Sequence, residues 1–330
     1  MRTVPVSLID LAQIGPGETA AASFAASVRL AQRAEELGCH RVWYAEHHNM
    51  RSIASSATSV LIAHVAAHTT SIRLGAGGVM LPNHSPLVIA EQFGTLATLH
   101  PGRIDLGLGR APGSDQATMR ALRRDPRAAE SFPDDVLELQ GYLRGESRIP
   151  GIQAVPGAGT DVPLYILGSS LFGARLAASL GLPYAFASHF APAALTEAVA
   201  AYRNGFQPSE QLDAPHVIAA VNVIAGDTTA DAQARLQDAL RRRARRMIPA
   251  GRDLHGEELD ALLETPAGRQ VAQMMYYSAV GTGAEVAAYL DAFAEHARAD
   301  EVIVALPDPD RDLGLRSLEL LMAARAVVPA

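Results

Sequence analysis

Two adjacent histidines and a glutamate, Glu46-His47-His48, directly follow the apolar run 41–45. Side chains at a strand end are held rigidly, and imidazole and carboxylate groups commonly move protons or bind metals in enzymes. Neighbouring histidines on an extended chain project to opposite sides, and this segment offers no His-x-x-x-His partner, so the spacing disfavours a metal site. The cluster is therefore predicted to belong to an active site without a metal.

An arginine and a Gly-Ser-Ser turn form a second candidate site. Arg110 follows Gly109 at the end of one predicted strand, and Gly168-Ser169-Ser170 joins another predicted strand to a helix. A guanidinium can hold a phosphate through two parallel hydrogen bonds, and the N–H groups and dipole at a helix N-terminus favour the same ligand. A salt bridge or a simple N-cap would explain either motif alone. Together the two motifs predict a phosphate site.

Three glycines stand in the segment Gly75-Ala76-Gly77-Gly78, at the end of a further predicted strand. Glycines at such a position let a ligand approach the backbone or permit an unusual peptide conformation, although a plain turn is the alternative. No helix opens within the run, so it is not a dinucleotide-binding fingerprint.

Short apolar runs alternate with Ala- and Leu-rich segments of helical period, which is typical of βα units around a parallel sheet. Eight such runs predict a single (β/α)₈ TIM barrel over residues 1–330, with the active site at the C-terminal strand ends. The segments 145–161 and 249–283 are predicted to be insertions. The second contains a helical piece but no strong strand, and is expected to form a lid between the seventh and eighth strands. The predicted strands are 4–8, 41–45, 72–76, 104–108, 164–167, 184–187, 217–224 and 301–305.

Composition and charge narrow the class of protein. Hydrophobic residues make up 48% of the chain and charged residues 19%, as in a compact enzyme. The net charge is −7 and the only basic cluster, residues 241–246, lies in one predicted helix, so no nucleic-acid partner is expected. With no signal peptide, no apolar run long enough for a membrane span and a single cysteine, Cys39, the expected location is the cytoplasm.

The motifs resemble, in order from about residue 4 to 305, those of the bacterial luciferase-like flavin-dependent monooxygenase family, and in particular its small single-chain members. The similar segments are Glu46-His47-His48, 75–82, Glu91, 101–103, Gly109-Arg110, Gly168-Ser169-Ser170, 81–86 and 188–192. The lid region is weakly matched.

The resemblance implies a barrel that binds FMN, with reduced FMN supplied by a separate NAD(P)H:flavin reductase. It implies that Arg110, Ser169 and Ser170 meet the phosphate, and that the isoalloxazine lies beside Gly109 and the Ala76-Gly77 segment, where the family often has a non-proline cis peptide. It also implies that His47 is the catalytic residue that manages protons around a flavin C4a-peroxide, a task that suits an imidazole.

The other members of the motif receive supporting roles in this interpretation. Glu46 and His48 are assigned to the substrate pocket, with Glu46 as an orienting residue. Two departures from the luciferase catalytic subunit, glycine at 109 in place of a reactive cysteine and glycine at 168 in place of an acidic residue, argue against light emission.

The leading hypothesis is therefore an FMN-dependent monooxygenase that oxygenates a small organic substrate with reduced FMN and O₂. Hydride transfer with the deazaflavin F420 is the alternative within enzymes, and a non-catalytic flavin-binding protein is the alternative outside them. A homodimer is expected to form through the apolar helices at 57–68 and 86–99, as family members commonly do. The substrate is left open.

Overall fold

Nine strands, all parallel, lie in the part of the chain that the computed structural model describes, residues 3–15, 17–111, 115–245, 248, 254–308 and 310–326. They are β1 (Val6–Asp10), β2 (Arg41–Tyr44), β3 (Arg73–Met80), β4 (Ile104–Gly109), β5 (Leu164–Gly168), β6 (Tyr184–Phe186), β7 (Val217–Ala225), β8 (Ser278–Gly281) and β9 (Glu301–Ala305). Strands β1 to β7 pair in chain order, and β9 closes the ring between β7 and β1. The predicted (β/α)₈ barrel is thus confirmed.

The strands are apolar because both of their faces are covered. One cluster inside the barrel packs Trp43 and Tyr165 against Ile218 and Ile303, while a larger cluster lies between the strands and the helices outside. Parallel strands buried on both faces give continuous apolar runs, which is why the eight barrel strands could be predicted. The first strand was placed at 4–8 but runs from Val6 to Asp10.

Helices follow the strands around the barrel. They are α1 (Ala20–Glu36), α2 (Thr58–Ala66), α3 (Pro86–Leu99), α4 (Gln116–Ala121), α5 (Phe132–Arg144), α6 (Leu171–Leu180), α7 (Leu195–Gly205), α8 (Thr229–Arg245), α9 (Glu257–Leu263), α10 (Pro266–Met274), α11 (Gly283–His296) and α12 (Arg311–Ala326). Within the described residues, no helix combines the length and apolar character needed to cross a membrane.

A buried ion network fastens the N-terminal end of the barrel. The Arg41 guanidinium lies 2.7 Å from the Asp105 carboxylate and 3.0 Å from that of Glu301, and it also donates to the Tyr165 hydroxyl. These groups come from β2, β4, β9 and β5, so one cation joins four strands. The network lies at the end of the barrel opposite the strand ends that carry Glu46 to His48.

The predicted insertion at 249–283 is only partly as expected. Residues 249–253 lie outside the described residues, and the remainder contains α9, α10 and β8. The expectation of no strong strand was wrong, because β8 pairs with the last four residues of β7, Asn222–Ala225, beyond the closed ring. A bidentate pair between Arg241 of α8 and Asp260 of α9, at 2.7 Å, ties the insertion to α8. The other predicted insertion, 145–161, contains neither helix nor strand.

Candidate active site

Glu46 is a hydrogen-bonding centre at the end of β2. His48 and His84 each place Nε2 2.9 Å from Glu46 Oε1, and the Met80 N–H donates to Oε2 at 3.0 Å. The Asn83 amide donates to Oε1 at 3.3 Å. Three of these donors come from the end of β3 and the turn after it, so Glu46 joins two neighbouring strand ends.

The electrostatics of this cluster favour an ion pair. Burial would raise the pKa of Glu46, which is only 2% exposed, but the hydrogen bonds from His48, His84 and Met80 outweigh it and lower the pKa to about 2. The hydrogen bond to Glu46 raises the pKa of His48 against the opposing effect of burial. A carboxylate that stays charged can orient both imidazoles.

Glu46, His48 and His84 also meet the geometric condition for a metal site, since their ligand atoms lie within 4.8 Å of one another. His84 was not identified from the sequence as a third ligand. Both histidines, however, direct Nε2 at the Glu46 carboxylate at hydrogen-bond distance, and the Met80 N–H occupies its second oxygen. The distances within the cluster are those of a carboxylate that accepts hydrogen bonds from two imidazoles and a backbone N–H.

A cavity of about 950 Å³ opens at the C-terminal end of the barrel. His47, half-buried after β2, lines it together with Ile9 of β1, Asn222 of β7 and Ala305 of β9. Ligand sites in this fold lie at this end of the strands, because the loops that follow them converge there. Glu46 and His48, which we expected in the substrate pocket, are not among the residues that line this cavity; they bond to each other on either side of His47.

Two further polar residues of this cavity were missed from the sequence. His189 follows β6 and is 8% exposed, and Asn222 is fully buried and donates to the His189 carbonyl at 2.8 Å. Among the described residues, His189 Nδ1 and Asn222 Oδ1 find no hydrogen-bond partner. Burial lowers the pKa of His189 to about 3, with smaller contributions from Arg243 and His47, so its imidazole is neutral at physiological pH. Neutral imidazole and amide groups can bind a ligand through hydrogen bonds.

The glycine segment of β3 forms a bulge against β4. Ala76 pairs with Leu106 and Val79 with Leu108, so β3 has one residue more than β4 between these two pairs. A Cβ at Gly77 would lie 2.8 Å from the Trp43 Cβ. Glycine there is thus required by packing within the protein. The peptide between Gly77 and Gly78 is cis, one bond beyond the Ala76-Gly77 segment where the resemblance implied one.

The predicted phosphate residues lie together on the β4–β5 side of the barrel mouth. The guanidinium carbon of Arg110 lies 4.0 Å from the ring centroid of Phe172, in the first turn of α6. Ser169 and Ser170 are exposed just before that helix, and within the described part of the chain the Ser170 side chain makes no capping hydrogen bond. A Cβ at Gly168 would come no closer than 3.8 Å to another atom, so this turn has space around it. The arrangement brings a cation, two hydroxyls and a helix N-terminus to one place, which suits an anion.

Comparisons with known proteins indicate the family of the chain. A family model described as luciferase-like monooxygenase matches residues 4–301. A luciferase-like monooxygenase of Escherichia coli (strain K12) is 48% identical over 328 residues, 97% of each chain. The N-acetyl-S-alkylcysteine monooxygenase of Bacillus subtilis (strain 168) is 42% identical over 189 residues, 56% of this chain and 57% of that one.

Solved structures show the same architecture. The crystal structure of apo-MsnO8 superposes with a TM-score of 0.87 at 34% identity, over 99% of this chain and 100% of that one. An FMN complex of the oxygenating constituent of 3,6-diketocamphane monooxygenase from Pseudomonas putida (TM-score 0.70, 17% identity, 99% and 100% covered) shares the fold. So does an F420-dependent secondary alcohol dehydrogenase (0.71, 15%, 98% and 100%). At such identities these last two likenesses concern the fold alone.

Proposed function

Because the chain belongs to the luciferase-like monooxygenase family, we propose that it is an FMN-dependent monooxygenase that oxygenates a small organic substrate with reduced FMN and O₂. The observation that carries this proposal is the pairing of two sites at one barrel end: an anion cradle at Arg110 and α6, and a cavity lined by His47. A phosphate-bearing cofactor and a separate substrate would each have a place there.

The residues of the β4–β5 side fit FMN. Arg110, Ser169 and Ser170 would hold the phosphate, because a guanidinium and a helix N-terminus both favour a doubly charged anion. Ala76, Gly77 and Gly109 lie on the neighbouring strands β3 and β4, where the ring system would lie on a rigid surface. Bound FMN would supply the reaction with O₂ and the transfer of one oxygen atom to the substrate.

The protein's own part is proton handling and exclusion of water. His47 lines the cavity, and an imidazole can give or take a proton there. The Glu46 ion pair with His48 fixes the strand end that carries His47. Met274 of α10 also lines the cavity, so the insertion after α8 contributes to its cover and fits the role of a lid.

The cofactor choice has a direct test. We expect purified protein to bind FMN more tightly than riboflavin, which lacks the phosphate, and Arg110→Gln to remove most of that difference. Loss of one charged hydrogen-bonding partner costs about 1.5–3 kcal/mol, or roughly 10- to 100-fold in affinity. Arg144→Gln is the control, because Arg144 ends α5 and pairs with Glu210 at the opposite end of the barrel. Equal affinities for FMN and riboflavin in the wild type would contradict the phosphate site.

Catalysis is tested with His47→Ala. With a NAD(P)H:flavin reductase supplying reduced FMN, wild-type protein should oxidise a member of a panel of aldehydes, ketones, aromatic metabolites and S-alkylcysteine derivatives. The variant should lose roughly 10²- to 10⁴-fold in turnover while its FMN affinity is unchanged. Turnover with reduced F420 but not with reduced FMN would overturn the cofactor assignment, and equal turnover in the variant would remove His47 from the mechanism.

A homodimer and a transient contact with the reductase complete the proposal. Helices α2 and α3 expose Val60, Val88 and Leu99, which are 67%, 43% and 64% exposed. Exposed apolar side chains on neighbouring helices favour burial in an interface. Sedimentation velocity of the purified protein tests this, and a monomer at micromolar concentration would contradict it.

A further inference from the structure

Two buried side chains in the lining of the barrel-mouth cavity have polar atoms without a partner. His189 is more than nine-tenths buried and Asn222 is fully buried, and both line the cavity. In the part of the chain that the structure describes, His189 Nδ1 and Asn222 Oδ1 take part in no hydrogen bond. Buried polar atoms in folded proteins are nearly always satisfied. A bound ligand is therefore expected to supply hydrogen bonds at this pair.

The Asn222 amide is held in one orientation. Its Nδ2 atom donates to the His189 carbonyl at 2.8 Å and to the Tyr277 carbonyl at 3.3 Å, so both amide hydrogens are used. Turning the amide over would place Oδ1 against two carbonyl oxygens and lose both hydrogen bonds. Oδ1 is therefore the atom left for a ligand. Because it is an acceptor, the ligand must bring an N–H or O–H group.

Asn222 lies at the top of the barrel interior. Ala220, two residues earlier on β7, packs inside the barrel, and side chains two residues apart on a strand share a face. Asn222 pairs with Ala305 of β9, which in turn pairs with Ile9 of β1, and all three line the cavity. Across these three strands, the cavity lining at this level thus consists of two apolar side chains and one amide.

His189 is fixed by its backbone rather than by its ring. The hydroxyl of the preceding Ser188 donates to the Ala220 carbonyl, and Asn222 donates to the His189 carbonyl. The imidazole makes no hydrogen bond to any described residue and packs edge-on against Phe190, with the ring centroids 4.9 Å apart. Since side-chain rotations on ligand binding are common, the ring can turn to present either nitrogen to a ligand.

The electrostatics of this place favour an uncharged ligand group. Burial is the main cause that lowers the pKa of His189 to about 3, so the imidazole is neutral, with one nitrogen that donates and one that accepts. The same burial opposes an ammonium group here, and a carboxylate has no hydrogen to give to Asn222 Oδ1. The complementary group is neutral and both donates and accepts hydrogen bonds, as an amide or a hydroxyl does.

The same lining offers an apolar surface for the rest of the ligand. Phe190, which packs against His189, lines the cavity together with Met50 and Met274. All three side chains are exposed in the empty cavity. Covering them with an apolar body removes their surface from water and favours binding.

We propose that the substrate carries a neutral amide or hydroxyl group that binds His189 and Asn222, while its apolar body lies against Met50, Phe190 and Met274. This inference rests on the proposed monooxygenase function and adds the substrate class. Asn222 Oδ1 accepts the N–H or O–H of the group, and a ring nitrogen of His189 donates to its oxygen. The group is thereby held on the β6–β7 side of the cavity.

The test changes one group of the ligand at a time. Isothermal titration calorimetry on the wild type compares N-benzylacetamide with benzyl acetate, in which oxygen replaces the N–H, and benzyl alcohol with benzyl methyl ether. In at least one pair the donor should bind about tenfold or more tightly, because its partner leaves the buried acceptor unsatisfied. Phenylacetamide should likewise bind more tightly than phenylacetate. The donor preference should not change as salt rises from about 50 to about 300 mM, since both ligands of a pair are neutral.

Variants assign the preference to the two residues. Asn222→Leu should abolish it, and His189→Leu should reduce it severalfold while leaving the His189 carbonyl in place for Asn222. His189→Asn, which keeps an amide close to the position of Nδ1, should retain part of it. Asn204→Leu is the matched control, because Asn204 is exposed near the end of α7, where that helix returns to the N-terminal end of the barrel. Thermal unfolding checks that each variant is folded.

Each titration is repeated with FMN present, and FMN affinity is measured in every variant. The assigned group is wrong if no donor ligand binds better than its partner, if phenylacetate binds better than phenylacetamide, or if the donor preference survives in His189→Leu. Should the leucine variants weaken FMN rather than the donor ligands, the pair serves the cofactor and the inference fails. A protein that prefers the donor ligands but binds no FMN would instead overturn the proposed function while leaving the His189 and Asn222 site intact.

Discussion

Replacing Glu46 by glutamine should destabilise the protein by about 3 kcal/mol near pH 7. The structure supplies the magnitude, because hydrogen bonds from His48, His84 and Met80 lower the Glu46 pKa from 4.5 to about 2 despite burial. One pKa unit corresponds to about 1.4 kcal/mol of preference for the charged form in the folded protein. Glutamine is neutral at every pH and also presents an amide group to N–H donors, so it loses this preference.

The depressed pKa of Glu46 also determines how the stability difference between the two proteins changes with pH. A carboxylate whose pKa is depressed by folding contributes stability above its unfolded pKa, near 4.5, and loses it as pH falls toward about 2. The difference between wild type and Glu46→Gln should therefore be largest near pH 6, fall as pH rises through the raised pKa of His48, and shrink below about pH 4.5. Urea unfolding followed by the fluorescence of Trp43, the single tryptophan, measures it close to the altered site.

The matched control is Glu197→Gln. Glu197 is exposed in the first turn of α7, so its loss should change the free energy of unfolding by less than about 0.5 kcal/mol. A Glu46→Gln variant within about 1 kcal/mol of wild type at pH 7 would refute the reasoning, since it would mean that the four donors do not recognise the charge of Glu46.

Two further outcomes follow from the charged groups of the barrel. Arg41→Met should lower the free energy of unfolding by about 3–5 kcal/mol, because it removes the cation that the buried carboxylates of Asp105 and Glu301 share and leaves them with Arg73 and His216; an Arg41→Met, Asp105→Leu double variant should recover part of this in the same urea assay. His48→Gln should cost more stability near pH 6 than near pH 9, because the hydrogen bond to Glu46 raises the pKa of His48 and its contribution is lost as pH rises through that pKa. A cost that does not vary with pH would contradict the ion pair.

The barrel could be predicted because its signal is local. Each barrel strand is a short apolar run, and its burial on both faces follows from the parallel sheet itself. The glycines of β3 misled us for the same reason, since glycine is depleted from strands, and the strand was predicted to end at residue 76 although it continues to Met80. Within β3, position 78 requires glycine because a Cβ there would lie 2.7 Å from the Gly107 carbonyl oxygen. That close approach depends on how β3 and β4 pair in the folded barrel, and it leaves no signal in the local sequence.

Two elements near the proposed lid were not predicted, helix α11 and strand β8. They differ in whether the sequence contains a pattern that could have predicted them. Helix α11 has one: the Thr282 side chain and Glu285 form a capping box, the S/T-x-x-E pattern that marks a helix start. Strand β8 has none, because it is four residues long and pairs on one side only, with the end of β7. Its position there nevertheless matters, since β8 extends the sheet beyond the ring at the level of Asn222.

The barrel mouth has two sides, and they differ in how well their site residues could be predicted from the sequence. On the cofactor side, the predicted donors lie within a few residues of a strand end or a helix start, so Arg110, Ser169 and Ser170 could be found from local motifs. On the side of His47, His189 follows β6 and Asn222 lies within β7, and the Asn222 amide meets the His189 carbonyl only in the folded barrel. A cofactor shared across a family is bound by motifs, whereas the substrate cavity is formed by long-range packing. His189 and Asn222 are therefore residues of the cavity that could be recognised only once the strands had been placed.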